Sequence, residues 1–226
     1  PYKIVHGFGY TTYEHTHDDL EQKLVQFVDK KDPVKISTLK IENRGDKERQ
    51  LSVYRYTERV LGISRNQASK NVIQEVWDNG ITILARNHYN NEFANRIAFS
   101  SVSGCVESDE HSYTTSRASF IGRNRSLKEP IAVVTDNHLD GISETGIDPC
   151  AAFQVTFTLE PGETRKLLFI EGESDTESEI KELIQKFGNP ESADKSLKHV
   201  RRFWKSYLSK ITVETPDNSL NLLDRK

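Results

Sequence analysis

The sequence predicts a mainly β protein, with antiparallel strands through its first 172 residues and two α-helices after them. Three observations carry this. Phe153, Val155, Phe157 and Leu159 alternate with Gln154, Thr156, Thr158 and Glu160, the period-two pattern of a strand with one buried face. Turn residues recur at short intervals, at Asn43-Arg44-Gly45-Asp46, Asp78-Asn79-Gly80 and Pro161-Gly162. From Ser174 the apolar period changes to that of a helix. Many short strands joined by turns build a sandwich rather than a doubly wound sheet.

Taken in order, His6-Gly7-Phe8-Gly9-Tyr10 opens the strand region. It lacks the full G-x-G-x-x-G spacing of a nucleotide loop, and its glycines are expected to let the backbone bend beside Phe8 and Tyr10. Residues 34–42 form a strand whose apolar parity changes between Ile36 and Leu39, which predicts a β-bulge. The turn at 43–46 then leads to a partner strand over Leu51–Leu61. Asp78-Asn79-Gly80 predicts a hairpin between 72–77 and 81–85. After Pro161-Gly162, Leu167-Leu168-Phe169-Ile170 reads as the returning, more fully buried strand.

Ser174 and Glu177 have capping-box spacing, and Ile180, Leu183, Ile184 and Phe187 follow at i, i+3, i+4 and i+7. Gly188 suits a C′ position, and Asn189-Pro190 suits the start of a second helix. That helix carries Ala193, Leu197, Val200, Trp204 and Tyr207 on one stripe, so both helices need an apolar surface to cover. Ile211–Thr215 reads as a short extended segment ended by Pro216.

With 226 residues the chain can bury roughly 70% of its unfolded surface in one substantial core. A formal charge of −3 without a basic tract argues against nucleic-acid binding. No apolar run reaches membrane-spanning length. The two cysteines, Cys105 and Cys150, lie far apart with no metal-ligand spacing, and two reduced thiols in a cytoplasmic protein are expected. The chain opens Pro1-Tyr2-Lys3-Ile4, without Met or a signal-peptide pattern, and is expected to be a segment of a longer polypeptide.

The most informative stretch for function is Thr115–Asn124, T-S-R-A-S-F-I-G-R-N. Arg117 and Arg123 flank Phe120, and Gly122 lets the backbone turn. An aromatic plate between guanidinium forks suits a sugar or a phosphate. An arginine-laced surface strand fits the same residues. Tyr54, Tyr56 and Glu58 share one strand face and suit either a sugar groove or half-buried packing. Asn87, Asn90, Asn91, Asn95 and Arg96 surround Tyr89 and Phe93, where the asparagines fit turns better than sugar contacts. His6, His15, His17, Asp18 and Asp19 are the nearest approach to a metal cluster, though a surface strand explains them more simply and no metal is expected. The acidic residues form no constellation suited to acid–base catalysis, so no catalytic residue is expected.

Several ordered blocks extend the reading to the whole chain: VHGFGYTTYEH from Val5, KKDPVKISTLKIEN from Lys30, RQLSVYRYTERVLG from Arg49, ARNHYNNEFANRIAF from Ala85, SRASFIGRN from Ser116, GIDPCAAFQVTFTLEPGE from Gly146 and VETPDNSLNLL from Val213. Together they resemble the N-terminal supersandwich domain of glycoside hydrolase family 94, the inverting sugar phosphorylases. Within it they most resemble the phosphorylase module of cyclic β-1,2-glucan synthases, also called the glycosyltransferase 36-associated domain.

The resemblance implies a galactose mutarotase-like antiparallel supersandwich over residues 1–172, lacking its first strands. It further implies a helical linker over 173–210 and the start of an (α/α)6 barrel over 211–226. In such enzymes the general acid and the phosphate-binding residues lie in the barrel, so the resemblance implies no catalytic residue and no cofactor here. Inorganic phosphate would be a co-substrate of the parent enzyme. A sandwich loop helps to shape the acceptor-sugar subsite; at the matching block this implies Arg117 and Arg123 as hydroxyl donors, Phe120 as packing, and Asn124 as a further contact. Ser119 stands where some relatives carry a longer polar or acidic side chain, which leaves acceptor specificity open. The implied partners are a β-glucan or oligosaccharide and the barrel of the same chain, with a homodimer left open. A free-standing carbohydrate-binding module and a structural dimerisation domain remain as alternatives. The parent is either a membrane synthase, with this module on the cytoplasmic side, or a soluble phosphorylase.

Overall fold

The computed structural model describes residues 1–90, 92–135, 137–143, 148–210 and 215–217. Among the described residues, eleven antiparallel strands fill two sheets. The larger sheet contains β1 (Lys3–Gly7), β2 (Tyr10–His17), β3 (Leu20–Val28), β4 (Val34–Asn43), β6 (Ile73–Trp77), β7 (Thr82–Arg86), β8 (Ile97–Ser103) and β11 (Thr164–Ser174), in the order β1-β2-β3-β4-β11-β8-β7-β6. The smaller contains β5 (Arg49–Glu58), β9 (Glu110–Ser116) and β10 (Pro149–Leu159), in the order β5-β10-β9. Five α-helices accompany them among the described residues: α1 (Arg65–Ala68), α2 (Arg117–Ile121), α3 (Ile131–Thr135), α4 (Glu177–Phe187) and α5 (Pro190–Leu208).

The layers follow from which faces carry apolar residues. Ile180, Phe187, Ala193 and Val200 of α4 and α5 cover one face of the large sheet, against Phe27, Val34, Ile36, Phe99, Leu168 and Ile170. Its other face packs Ile41, Ile83, Val102, Leu167 and Phe169 against Phe153, Val155, Phe157 and Leu159 of the small sheet. Thus Leu167-Leu168-Phe169-Ile170 is buried on both faces, as its unbroken apolar run requires. The two helices that the sequence left in need of a partner cover the sandwich itself.

The expected bulge in β4 is absent. Its register runs unbroken from Val34↔Gly172 to Glu42↔Thr164. The apolar parity changes because Val34 and Ile36 face the helices while Leu39 and Ile41 face the small sheet, so the covered face switches along one regular strand. The strand at 51–61 is likewise not the hairpin partner of β4. It is β5, which pairs with β10, while β4 lies between β3 and β11. The turns after β4 and after β10 both carry the chain from one sheet to the other.

Asn43 ties these two crossovers together. Its amide nitrogen donates to the carbonyls of Lys47 (2.8 Å) and Leu159 (3.0 Å), and its side-chain oxygen accepts from Gly45 N (3.1 Å). Its main chain meets the other turn, with Asn43 N donating to Glu163 O (3.0 Å) and Gly162 N to Asn43 O (2.7 Å). By contrast, β6 and β7 do form the predicted hairpin, with Asp78, Asn79 and Gly80 all at positive φ.

The capping residue of α4 is Thr176 rather than Ser174. Its side chain accepts from Glu179 N, while the Ser174 hydroxyl donates to the Glu179 carboxylate. Asn189 caps α5 by accepting from Ser192 N (2.8 Å), with Pro190 at the first helical position. Gly9, at φ 78°, lies under Trp204 of α5, where a Cβ would fall 2.3 Å from the indole, so close approach as well as bending requires glycine there. The segment predicted at 211–215 lies outside the described residues except for Thr215.

Cys105 and Cys150 are both unpaired. Burial pushes the Cys150 thiol up to about 12. No helix among the described residues is long and apolar enough to cross a membrane.

Candidate functional site: a clamped loop on the outer face of the small sheet

The outward side chains of β5 and β10 prepare a platform. Tyr54, Tyr56, Cys150 and Ala152 point away from the large sheet and pack with Phe120, Ile121, Ala132 and Leu139. Because α2 and α3 cover this face, β10 is buried on both sides from Pro149 to Val155 and only later becomes the one-sided strand that its alternation suggests. Gln154, 2% exposed, resolves its burial by donating to the Tyr54 hydroxyl (2.9 Å) and accepting from Ser112 Oγ (2.8 Å).

The segment 116–124 is a short helix followed by a turn, not a surface strand. Ser116 caps α2 by accepting from Ser119 N (3.3 Å), and Gly122, at φ 92°, turns the chain out of it. Phe120 points inward. It is 2% exposed, stacks on Tyr56 at 4.8 Å between ring centroids, and meets Tyr54 edge-on at 6.3 Å. Its faces are occupied by protein, so it packs and does not form an open sugar platform.

Arg117 also has partners within the chain. Its Nε donates to Glu58 Oε1 (2.7 Å), and its Nη1 lies 3.5 Å from Asp148 Oδ2. Arg65 of α1 reaches the same two acids, at 3.0 Å to Glu58 and 3.2 Å to Asp148. Two arginines and two carboxylates therefore form a closed box of alternating charge. Burial works to raise the Glu58 carboxyl, but the Arg117 hydrogen bond and the Arg65 and Arg117 charges outweigh it and hold the group below its ordinary value. The main chain joins in, with Arg117 N donating to Asp148 O (3.0 Å).

Beyond Gly122 the loop emerges into solvent. Arg123 and Asn124 are exposed, and neither side chain has a hydrogen bond or ion pair among the described residues. The four residues singled out by sequence thus divide into two anchors, Arg117 and Phe120, and two open polar groups, Arg123 and Asn124. Sequence reasoning missed Glu58 and Asp148 as the partners of Arg117, and Arg65 as the cation that shares them. None of them stands at a spacing that local periodicity connects to Arg117.

The other candidates resolve in the same way. Tyr54 and Tyr56 pack. Asn87 and Asn90 build turns: Asn87 donates to Leu61 O (2.8 Å) and accepts from Tyr89 N (3.1 Å), while Asn90 accepts from Glu92 N and Phe93 N. Asn91 lies outside the described residues. His15 and His17 share a face, as strand geometry requires, but there His15 is sandwiched between the rings of Tyr2 and His17. Among the described residues no group of three or more His, Cys, Asp or Glu side chains is placed to hold a metal ion.

Comparison with known proteins adds four findings. The model of the glycosyl hydrolase 94 supersandwich domain matches residues 1–190. The cyclic beta-(1,2)-glucan synthase NdvB of Rhizobium meliloti (strain 1021) is 32% identical over 216 residues, covering 96% of this chain and 8% of that protein. The N,N'-diacetylchitobiose phosphorylase of Vibrio furnissii is 23% identical over 227 residues, covering 98% of this chain and 27% of that protein. Among solved structures, a putative aldose 1-epimerase from Escherichia coli K12 superposes with a TM-score of 0.40 at 8% identity, covering 76% of this chain and 68% of that one. The chain thus spans well under a third of the two curated relatives. With a family match over most of its length and a relative above 30% identity, it belongs to the glycosyl hydrolase 94 supersandwich-domain family.

Proposed function

We propose that this chain is the non-catalytic, carbohydrate-associated module of an inverting glycoside phosphorylase or cyclic β-1,2-glucan synthase. It supports an (α/α)6 catalytic barrel and lends the loop after α2 to the acceptor-sugar site. The observation that carries this reading is the division within one short segment. Arg117 and Phe120 fasten α2 to the small sheet, and Arg123 and Asn124 stand open just beyond Gly122. A loop held at its base and polar at its tip can present donors to sugar hydroxyls with little ordering cost on binding.

In this reading Arg123 and Asn124 contact the acceptor, and Arg117 is a positioning residue. Proton donation and phosphate binding belong to the barrel, with inorganic phosphate as co-substrate of the whole enzyme. The proposed partners are a β-glucan or oligosaccharide and that barrel. The proposed location is the cytoplasm, which two unpaired cysteines support.

The test uses a polypeptide that joins this chain to its barrel, assayed for sugar phosphate release and for the reverse, acceptor-dependent synthesis. The 226-residue chain alone should release none. Arg123→Ala and Asn124→Ala should raise the acceptor KM about three- to thirtyfold, the cost of one or two hydrogen bonds, while leaving the sugar-phosphate KM unchanged. Unchanged acceptor kinetics in both variants would remove the loop from the site.

A further inference from the structure

Beside α1 lies a cleft of about 790 Å3, within the ~300–1,000 Å3 range of small-molecule sites. Its walls are α1 with the residues just before it, the side chains of Asn87, Tyr89, Asn90, Glu92, Phe93 and Arg96, and the paired ends of β8 and β11 at Ala98 and Glu173. We infer that this cleft is a binding site for a neutral saccharide of one or two pyranose rings, with Tyr89 and Phe93 as its stacking platform.

The loop side is apolar where side chains are usually polar. Tyr89 is 80% exposed and Phe93 50% exposed, both at the cleft, and Ile63 opposite is 98% exposed. The backbone beneath these rings is nevertheless well tied. Asn87 bridges Leu61 O and Tyr89 N, Asn90 accepts from Glu92 N and Phe93 N, and Arg96 N donates to Phe93 O at 3.0 Å. Aromatic rings displayed to solvent on a braced loop suit the C–H faces of a sugar.

The polar lining then selects among ligand classes. Arg96 is the cleft's one cation among the described residues, and it is already engaged by Asp175 (3.3 Å) and Glu173 (3.9 Å). With Glu92 also in the lining, an anion finds no spare positive charge there. A purely apolar ligand would strand the Gln67 and Asn71 amides on the α1 side. An uncharged polyol matches both the rings and the amides. The inference does not depend on the assignment of Arg123 and Asn124.

Titration calorimetry on the 226-residue chain tests it, with methyl β-D-glucopyranoside, cellobiose and sophorose as probes and inorganic phosphate as the anionic control. We expect saturable binding of at least one saccharide with a Kd of about 1–10 mM. Tyr89→Ala and Phe93→Ala should each weaken it about three- to tenfold with an unchanged circular dichroism spectrum, as loss of one stacking ring implies. Lys198→Ala, exposed on α5 and absent from the cleft lining, should leave it unchanged. The inference would be overturned by no saturation by about 50 mM for any saccharide, by affinity retained in both aromatic variants, or by competition by phosphate. Affinity lost in Arg123→Ala but kept in Tyr89→Ala would also sink it, and would instead place saccharide on the loop after α2.

Discussion

Replacing Arg117 by alanine separates an anchor from a ligand contact. Its side chain is 27% exposed and that of Glu58 36% exposed, so the pair is neither free in water nor fully buried. Exposed pairs contribute about 0.2–1 kcal/mol, whereas breaking a fully buried one costs roughly 3–5 kcal/mol. With solvent screening Glu58 in part, and Arg65 still neutralising it at 3.0 Å, the expected loss is about 1–2 kcal/mol. For a domain of this size that lowers Tm by roughly 2–8 °C. Urea unfolding of Arg117→Ala, Glu58→Ala and the double variant should give a coupling energy of about 0.5–1.5 kcal/mol. Arg123→Ala, exposed and unpaired among the described residues, should stay within about 0.5 kcal/mol of the parent. Equal destabilisation by the two arginine variants, or additive effects of Arg117→Ala and Glu58→Ala, would refute the clamp.

Two further outcomes follow from other tied points. Asn43→Ala should cost about 2–4 kcal/mol in urea unfolding, because it strands the carbonyls of Lys47 and Leu159 and the Gly45 amide. Asn43→Asp should be no better at neutral pH, since a carboxylate cannot donate to those carbonyls. Acid stability should depend on Glu171, which bridges the sheets to Arg55 (2.6 Å) and Thr57. Burial works to raise its carboxyl, but Arg55, Thr57 and Arg59 outweigh this and hold it below its ordinary value. A carboxyl lowered on folding adds stability above its unfolded value of about 4.3, and that stability is lost as pH falls through the folded value. The urea midpoint should therefore drop on acidification below about pH 4.5. Glu171→Gln should be less stable than the parent at pH 7 and show a shallower acid slope. An unchanged slope would assign the acid loss to other groups.

What the sequence determined by itself was local. Alternation along 153–159, the unbroken apolar run at 167–170, the Asp78-Asn79-Gly80 hairpin and the helical period after Ser174 each depend on neighbours within one or two turns of chain, and each formed. The family was also legible there, because ordered blocks of residues survive without any knowledge of their contacts. The tertiary structure decided which sheet each strand joins. The turn at 43–46 has hairpin chemistry, yet it carries the chain between sheets, because β10 supplies the partner for β5 and β11 the partner for β4. It also decided the parts within S-R-A-S-F-I-G-R-N. Phe120 is buried because Tyr56 lies beneath it, and Arg117 is spent because Glu58, at the end of β5, and Asp148, just before β10, come from distant parts of the sequence. Hydrophobic periodicity is set by the geometry of a single element, whereas charge pairing and strand partnership depend on residues far away in sequence, and only the folded chain brings those together.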